Sequence, residues 1–120
     1  MDNKFYVSYE VASLLKEKGY DGDAEYAYHE NGNFSHWGRN VNDIDYLYAA
    51  PTKAEAIDWL DSKGIMISPH PVTILREDGT TGIHWSCHIV QKDGTWHKTE
   101  DLPTRLEAEE AAIIKACELL

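Results

Sequence analysis

Three histidines near the C-terminus have side chains that could support metal binding or acid–base chemistry. His84 and His88 lie four residues apart in an alternating stretch, and His97 follows a predicted turn. Four residues of strand span about 13 Å, too far for two imidazoles to share a metal ion whose ligands lie at about 2 Å. His88 and His97 can approach more closely across a hairpin, but no carboxylate or thiolate accompanies them. The pattern predicts a polar sheet face and no metal site.

Ser86 stands between two of these histidines and is a candidate nucleophile. Residues two apart on a strand are separated by about 6.5 Å along it, beyond hydrogen-bond reach of a general base. No third residue that would orient the histidine can be named. Gly79 and Gly82 also lack the lysine that a phosphate-binding loop requires. The sequence therefore predicts no catalytic residue and no cofactor, and it favours a protein that is not an enzyme.

A set of aromatic and basic side chains in the middle of the chain is a second candidate site. Its members are Phe34, His36, Trp37, Arg39, Tyr46 and Tyr48. Such residue types are enriched at interface hot spots, and their rings can stack on a ligand. Segment 30–43 is long for a loop without regular structure, which is a feature of functional or disordered loops. The alternative is that the tyrosines lie at the edge of the core and Trp37 anchors the loop. With His84, His88 and His97, this set forms the predicted partner- or ligand-binding residues.

A β-hairpin near the C-terminus would position the three histidines. Side chains alternate across a strand, so one face of residues 83–90 is predicted to hold Ile83, Trp85, Cys87 and Ile89. Asp93-Gly94 predicts a two-residue turn. That turn places Trp96 on the apolar face, and it places His97 with His84 and His88 on the solvent side.

A helix predicted over 105–119 would cover the apolar face of the hairpin. Thr104 and Glu107 have the spacing of a capping box. The apolar side chains of this helix extend over more than half of its circumference, which is typical of a helix covered on two sides. The sheet can cover one side, and another helix or a partner chain must cover the other. A homo-oligomer is therefore one expectation.

The remaining segments complete an α+β pattern. Further helices are predicted over residues 9–18 and 53–63. Upstream strands are predicted over residues 24–29, 44–49, 65–67 and 72–76. Pro69 and Pro71 are expected to separate the last two of these strands from each other. We predict one domain over 1–120, an antiparallel sheet of about four to five strands packed by three helices, with a C-terminal β-hairpin followed by an amphipathic helix.

The charge balance limits the partners that this protein can bind. The 120 residues include 21 acidic and 11 basic side chains, for a net charge of −10. Because phosphate contacts come from clustered Lys and Arg, we expect no nucleic-acid and no membrane partner. The N-terminus lacks the apolar core of a signal peptide, and no stretch approaches transmembrane length. Cys87 and Cys117 are expected to be reduced and core-facing in a cytoplasmic protein.

Two resemblances add expectations to this pattern. Residues 52–120 read helix, three strands, helix, an order that resembles the double-stranded-RNA-binding domain. That family places lysines at the start of its last helix, where this chain has Glu107, Glu109 and Glu110, so the resemblance implies the topology without the RNA-binding chemistry. Segments 7–12, 15–20 and 48–60, with the Tyr-rich strands and the closing Glu-Ala helix, resemble an uncharacterised family of small proteins of bacteriophages and prophages of gut bacteria. This second resemblance implies a mobile-element accessory protein and supplies no activity.

Three functional hypotheses of different classes follow. The leading hypothesis is a non-enzymatic accessory protein of phage type that acts through protein–protein interaction. The alternative is a module that sequesters a small, nucleotide-like ligand in an aromatic and histidine-lined groove. The third is a metal-dependent or Ser/His enzyme, for which the spacing gives the least support.

Overall fold

Three helices and two antiparallel sheets are formed by residues 3–120, which are the residues that the computed structural model describes. The helices are α1 (Tyr9–Glu17), α2 (Lys53–Ser62) and α3 (Arg105–Glu118). The first sheet has the order β2-β1-β3 and contains β1 (Tyr26–His29), β2 (Phe34–His36) and β3 (Leu47–Ala50). The second sheet has the order β4-β5-β6 and contains β4 (Ile65–Leu75), β5 (Thr81–Gln91) and β6 (Trp96–Lys98). The predicted α+β class is confirmed, but the single sheet of four to five strands is replaced by two sheets of three.

Local capping signals determine where the helices begin and end. The side chains of Ser8, Thr52 and Thr104 each accept a hydrogen bond from the backbone N–H three residues further on. Each interaction satisfies one of the N–H groups that the first turn of a helix leaves without a partner. Gly19 and Gly64 follow α1 and α2 with φ of 82° and 88°, a conformation that glycine adopts without a steric penalty. The three predicted helices are therefore confirmed, with ends that differ by one residue.

The predicted break at Pro69 and Pro71 is wrong, because β4 runs through both prolines as one continuous strand. These prolines pair with Cys87 and Trp85 of β5. The backbone N–H and C=O groups of Cys87 and Trp85 bond instead to the segment that follows β6. The β4–β5 ladder therefore needs no N–H from either proline, and both ring nitrogens face the free edge of the sheet. An edge strand tolerates proline in this orientation.

Segment 30–43 is also more regular than predicted. It contains β2, which forms a hairpin with β1 through Gly32, whose φ is 91°. Further along the segment, the Asn42 side chain donates to Tyr20 O at 3.1 Å and accepts from Ala49 N at 2.8 Å. These long-range hydrogen bonds join the segment to the residues that follow α1 and to β3.

The turn between β5 and β6 has three residues, not the predicted two. Gln91 N donates to Thr95 O at 2.8 Å, and Gly94 N donates to Gln91 O at 2.9 Å. Gly94 has φ of 90°, the left-handed residue typical of a three-residue hairpin loop. Val90 consequently pairs with Trp96 instead of His97. Because a one-residue shift moves every side chain to the other face, the predicted faces of β6 are reversed.

Helix α3 is covered on two sides within the chain. It contacts β4 and β5 of the second sheet, and it also contacts α1 and α2. Ala108, Ala112 and Ala116 are fully buried, and their small size allows the neighbouring elements to approach closely. The apolar width of α3, which raised the expectation of a homo-oligomer, therefore does not require a partner chain.

The turn end of the β4–β5 hairpin extends beyond this packing. Leu75 is 77% exposed and Ile83 is 61% exposed, although both belong to the same sheet face as the buried Cys87 and Ile89. The prediction that Ile83 lies in the core is wrong, because the helices cover only the half of the hairpin that is closer to β6.

Candidate functional site

The aromatic residues of the first sheet pack mainly against one another. Phe34 stacks on Tyr26 with 5.0 Å between ring centroids, and Tyr48 contacts the ring of Tyr9 in α1 at 5.3 Å. At the centre of this group the hydroxyl of Tyr28 donates to a backbone carbonyl at 2.8 Å and is buried. Tyr48 therefore has the edge-of-core position that was the alternative for the tyrosines, and Phe34 is likewise partly buried against the core.

The other predicted residues of this region lie at its periphery, each with a different local partner. His36 contacts Tyr26 at 4.9 Å between ring centroids. Trp37 donates from Nε1 to a neighbouring serine at 2.9 Å. Arg39 donates to Asp43 at 3.0 Å, and this hydrogen bond lowers the pKa of that carboxyl. Tyr46, 48% exposed, contacts the ring of a histidine in β1. Because each of these side chains contacts a different local partner, they do not form a common site.

The second sheet has a face that is turned away from α2 and α3, which we call the open face. Strand pairing and alternation place on it Met66, Ser68, His70, Val72, Ile74, Gly82, His84, Ser86, His88, Val90, Trp96 and Lys98. The opposite face packs into the core through Ile67, Cys87 and Ile89. On the open face Trp96 is 62% exposed and Met66 is 56% exposed. These two side chains are the largest exposed apolar groups of the open face.

Three rings form a line across the open face. The centroids of His70 and His88 lie 4.3 Å apart, and His88 meets Trp96 edge-on at 5.5 Å. Each ring comes from a different strand, so the line crosses the whole sheet. Sequence reasoning missed His70, because the two flanking prolines suggested a break in the strand. A two-residue turn at Asp93-Gly94 predicts Trp96 in the core, whereas the three-residue loop turns Trp96 to the open face.

His97 lies on the opposite face of the sheet from His84 and His88. It pairs with Ile89, and its side chain therefore belongs to the helix-facing side of the sheet. The prediction that His84, His88 and His97 share one face is wrong for His97. Ser86, the candidate nucleophile, is fully buried and donates to Thr99 O at 3.0 Å. This hydrogen bond gives its hydroxyl a structural role.

The open face has one carboxylate, since Leu102 bridges to Trp85 on the core side and the preceding Asp101 therefore lies on the side of Ser86. Lys98, also on this face, pairs with Asp101 at 3.1 Å. Near the other end the guanidinium of Arg76 occupies the space over Gly82, and its Nη1 donates to Thr81 O at 2.8 Å. One of the two permanent cations of this face is therefore paired with a carboxylate of the same face.

Acidic side chains cluster instead beside α2 and in the loop that follows α1. Burial raises the pKa of the Tyr20 hydroxyl, and four carboxylates near it raise this pKa further. They are Glu55, Asp23, Asp21 and Asp58. Cavities of about 500 Å³ and 250 Å³ open between these carboxylates. This acidic surface accounts for part of the net charge and lies on elements outside the second sheet.

An apolar groove of about 570 Å³ lies between the N-terminal segment and α3. The buried Lys53 stands at its wall and donates from Nζ to the backbone oxygens of Lys4 and Tyr6. Across the groove Glu110 accepts from the backbone N–H of Ser8 at 3.2 Å. These interactions hold the N-terminal segment against α2 and α3, which is a structural role.

No family model, no curated protein and no solved structure matches this chain. Within residues 3–120, no cluster of three or more His, Cys, Asp or Glu side chains could hold a metal ion. No helix in the same residues is long and apolar enough to span a membrane.

The two cysteine thiols are expected to be unreactive in the folded protein. Burial raises the pKa of both Cys87 and Cys117 to about 11, which lowers the thiolate fraction about a hundredfold relative to a free cysteine. At about pH 8 we expect a disulfide reagent to modify the native protein at least ~100-fold more slowly than it modifies the chain unfolded in guanidinium. A thiol count over time measures this, and fast modification of the native state would contradict the burial of these thiols.

Proposed function

We propose that this protein binds another protein through the open face of its second sheet, as a non-enzymatic accessory protein of the phage or mobile-element type. The observation that carries the proposal is the exposure of Trp96 and Met66, 62% and 56%, on a sheet whose other face packs under helices. Tryptophan and methionine are enriched at the cores of interfaces, where tryptophan dominates the binding energy.

The geometry supports docking on the face of the sheet in preference to its free edge. The ring nitrogens of Pro69 and Pro71 carry no hydrogen, and they point toward the free edge of β4. A partner strand added there would lack two hydrogen-bond donors in the middle of the ladder. The other edge strand, β6, has only three residues. Both edges are thus protected against strand addition, while the open face is accessible.

A small nucleotide-like ligand remains a second candidate, because the rings of His70, His88 and Trp96 offer a stacking surface. Ligand sites usually bury most of the ligand surface within a concave pocket. An open sheet face covers one side of a small molecule only. A macromolecular partner uses such a surface more completely, which favours the protein-binding proposal.

A pair of substitutions tests the proposal. Trp96→Ser combined with Met66→Ser removes the two large apolar side chains of the open face. We expect this variant to lose at least ~2 kcal/mol of binding energy, about a 30-fold weaker Kd, because hot-spot aromatic residues contribute that much. The matched control is Phe5→Ser with Leu75→Ser, two residues that are 53% and 77% exposed outside the open face.

The measurement compares proteins captured from cells of the source organism by the wild type and by the two variants, followed by titration of the purified partner. A partner retained by the control and lost by the open-face variant supports the proposal. Equal capture by the wild type and the open-face variant would place the binding surface elsewhere on the molecule.

A further inference from the structure

We propose that His70 and His88 on the open face bind one divalent transition-metal ion, and that copper(II) is the ion that their geometry fits best. The two imidazoles come from neighbouring strands, β4 and β5, and their ring centroids lie 4.3 Å apart. Imidazole is a common ligand of copper and zinc in proteins. The proposal is independent of the proposed function, since metal binding requires no protein partner.

The distance between the two rings is close to that of two ligands on one metal ion. A ligand nitrogen lies about 2.0–2.1 Å from the metal, and the ring centroid lies about 1.1 Å behind that nitrogen. Two imidazoles at 90°, about the angle between neighbouring ligands of square-planar copper(II), therefore have centroids about 4.5 Å apart. At the tetrahedral angle of zinc the separation rises to about 5.1 Å. The observed 4.3 Å is nearer to the copper value.

The ring nitrogens of both histidines are accessible to an ion from solvent. Within residues 3–120, these two side chains interact only through ring contacts, with each other and, for His88, with Trp96 at 5.5 Å. In the same residues, the one buried side-chain nitrogen or oxygen without a hydrogen-bond partner belongs to His29. The nitrogens of His70 and His88 therefore reach solvent, although both residues are partly buried.

The backbone holds the two positions in a fixed relation. His70 pairs with Ser86 in a ladder of eleven residue pairs, and His88 lies two residues further along β5 on the same face. Such diagonal neighbours are within reach of long side chains. Ser86 is fully buried and donates to Thr99 O. Prolines on both sides of His70 restrict the backbone of β4. The two ligands therefore lose little conformational freedom when they bind an ion.

The remaining coordination positions are left to water. In the part of the chain that the structure describes, no third His, Cys, Asp or Glu completes a metal-binding cluster with this pair. Asp101 of the same face is already paired with Lys98 at 3.1 Å. His84 lies about 13 Å from His88 along the strand, too far to share an ion. With two protein ligands we expect a Kd tighter than ~100 µM.

Titration of the purified protein with copper(II) chloride tests the proposal. The buffer does not coordinate copper and is held at about pH 7.5, since an imidazole must be neutral to bind a metal. Quenching of tryptophan fluorescence follows the binding, because Trp96 contacts His88. Electron paramagnetic resonance of the copper-loaded protein counts the nitrogen ligands. We expect one ion per chain and two nitrogen ligands.

Single substitutions assign the ligands. His70→Gln and His88→Gln should each weaken copper binding at least ~10-fold, since even the loss of a residue that only orients a ligand costs 10- to 100-fold. The matched control is His84→Gln, on the same strand and the same face as His88, and its Kd should stay within about 2-fold of the wild type. The nitrogen count uses the wild type alone, so it decides the question even where a substitution disturbs the fold.

Several results would overturn the proposal. A Kd weaker than ~100 µM would mean that the pair is not a metal site. Fewer than two nitrogen ligands in the wild type would separate the two imidazoles. Unchanged affinity in either ligand variant would assign the copper to other side chains. Equal weakening by His84→Gln and by the ligand variants would contradict the ring geometry on which the assignment depends.

Discussion

Replacing Ile113 with alanine is expected to lower the free energy of unfolding by about 2–5 kcal/mol, the largest loss from a single substitution that we predict. Ile113 is fully buried in α3, the helix that contacts both other helices and the second sheet. The truncation removes apolar contacts and leaves a cavity that these surrounding elements cannot all move to fill. A typical domain is stable by about 5–15 kcal/mol, so this one change would remove a large share of the total.

The adjacent residue provides a matched control for this prediction. Ile114→Ala makes the same chemical change at a position that is only partly buried and faces the groove beside the N-terminal segment. We expect its loss to stay below about 1.5 kcal/mol, because partial burial gives less transfer energy and no closed cavity. Urea denaturation followed by tryptophan fluorescence measures both. Similar losses at the two positions would contradict the packing of α3 described above.

Lys16→Met is expected to cost about 2 kcal/mol, the second largest loss. The ammonium of Lys16 donates to the backbone oxygens of Ile44, Asp45 and Leu47 at 2.8, 3.1 and 2.6 Å. It also lies 4.8 Å from the ring centroid of Tyr48. Hydrogen bonds from a charged donor are worth more than neutral ones, and their loss leaves carbonyl groups unsatisfied. Methionine keeps the aliphatic length of the side chain, so the change isolates the ammonium.

Lys18→Met is the control for the charge itself. Lys18 lies at the C-terminal end of the same helix and is exposed. Its replacement should change stability by no more than about 0.5 kcal/mol. In hydrogen exchange, only Lys16→Met should increase the exchange of the amides around residues 44–47, because only this variant releases their carbonyls. Equal exchange in the two variants would mean that Lys16 does not order the loop.

Part of this architecture could be predicted because its causes are local in the sequence. Ser8, Thr52 and Thr104 cap helices through groups three residues away, and Gly19 and Gly64 end helices by a backbone conformation that they adopt themselves. The alternation from Trp85 to Ile89 likewise identifies which side chains enter the core, since successive side chains of a strand point to opposite faces.

The candidate site could be predicted only in part, because its composition depends on register. Alternation alone predicts that His84 and His88 lie on the solvent side, and both lie on the open face. Trp96 and His97 exchanged faces because Gly94 forms a three-residue loop where Asp-Gly also permits a two-residue one. His70 joins the site because β4 is an edge strand, a position that the sequence of β4 does not specify.

The sequence alone determined the α+β class, the helix ends and the alternation that divides the second sheet into a core face and an outer face. Only the tertiary structure decided that the strands form two sheets, that α1 and α2 complete the cover of α3, and that Lys16 binds the 44–47 loop. The physical reason is the range of the interactions. Caps and alternation are satisfied within a few residues, whereas strand order, register and helix packing depend on partners that are distant along the chain and become neighbours only on folding.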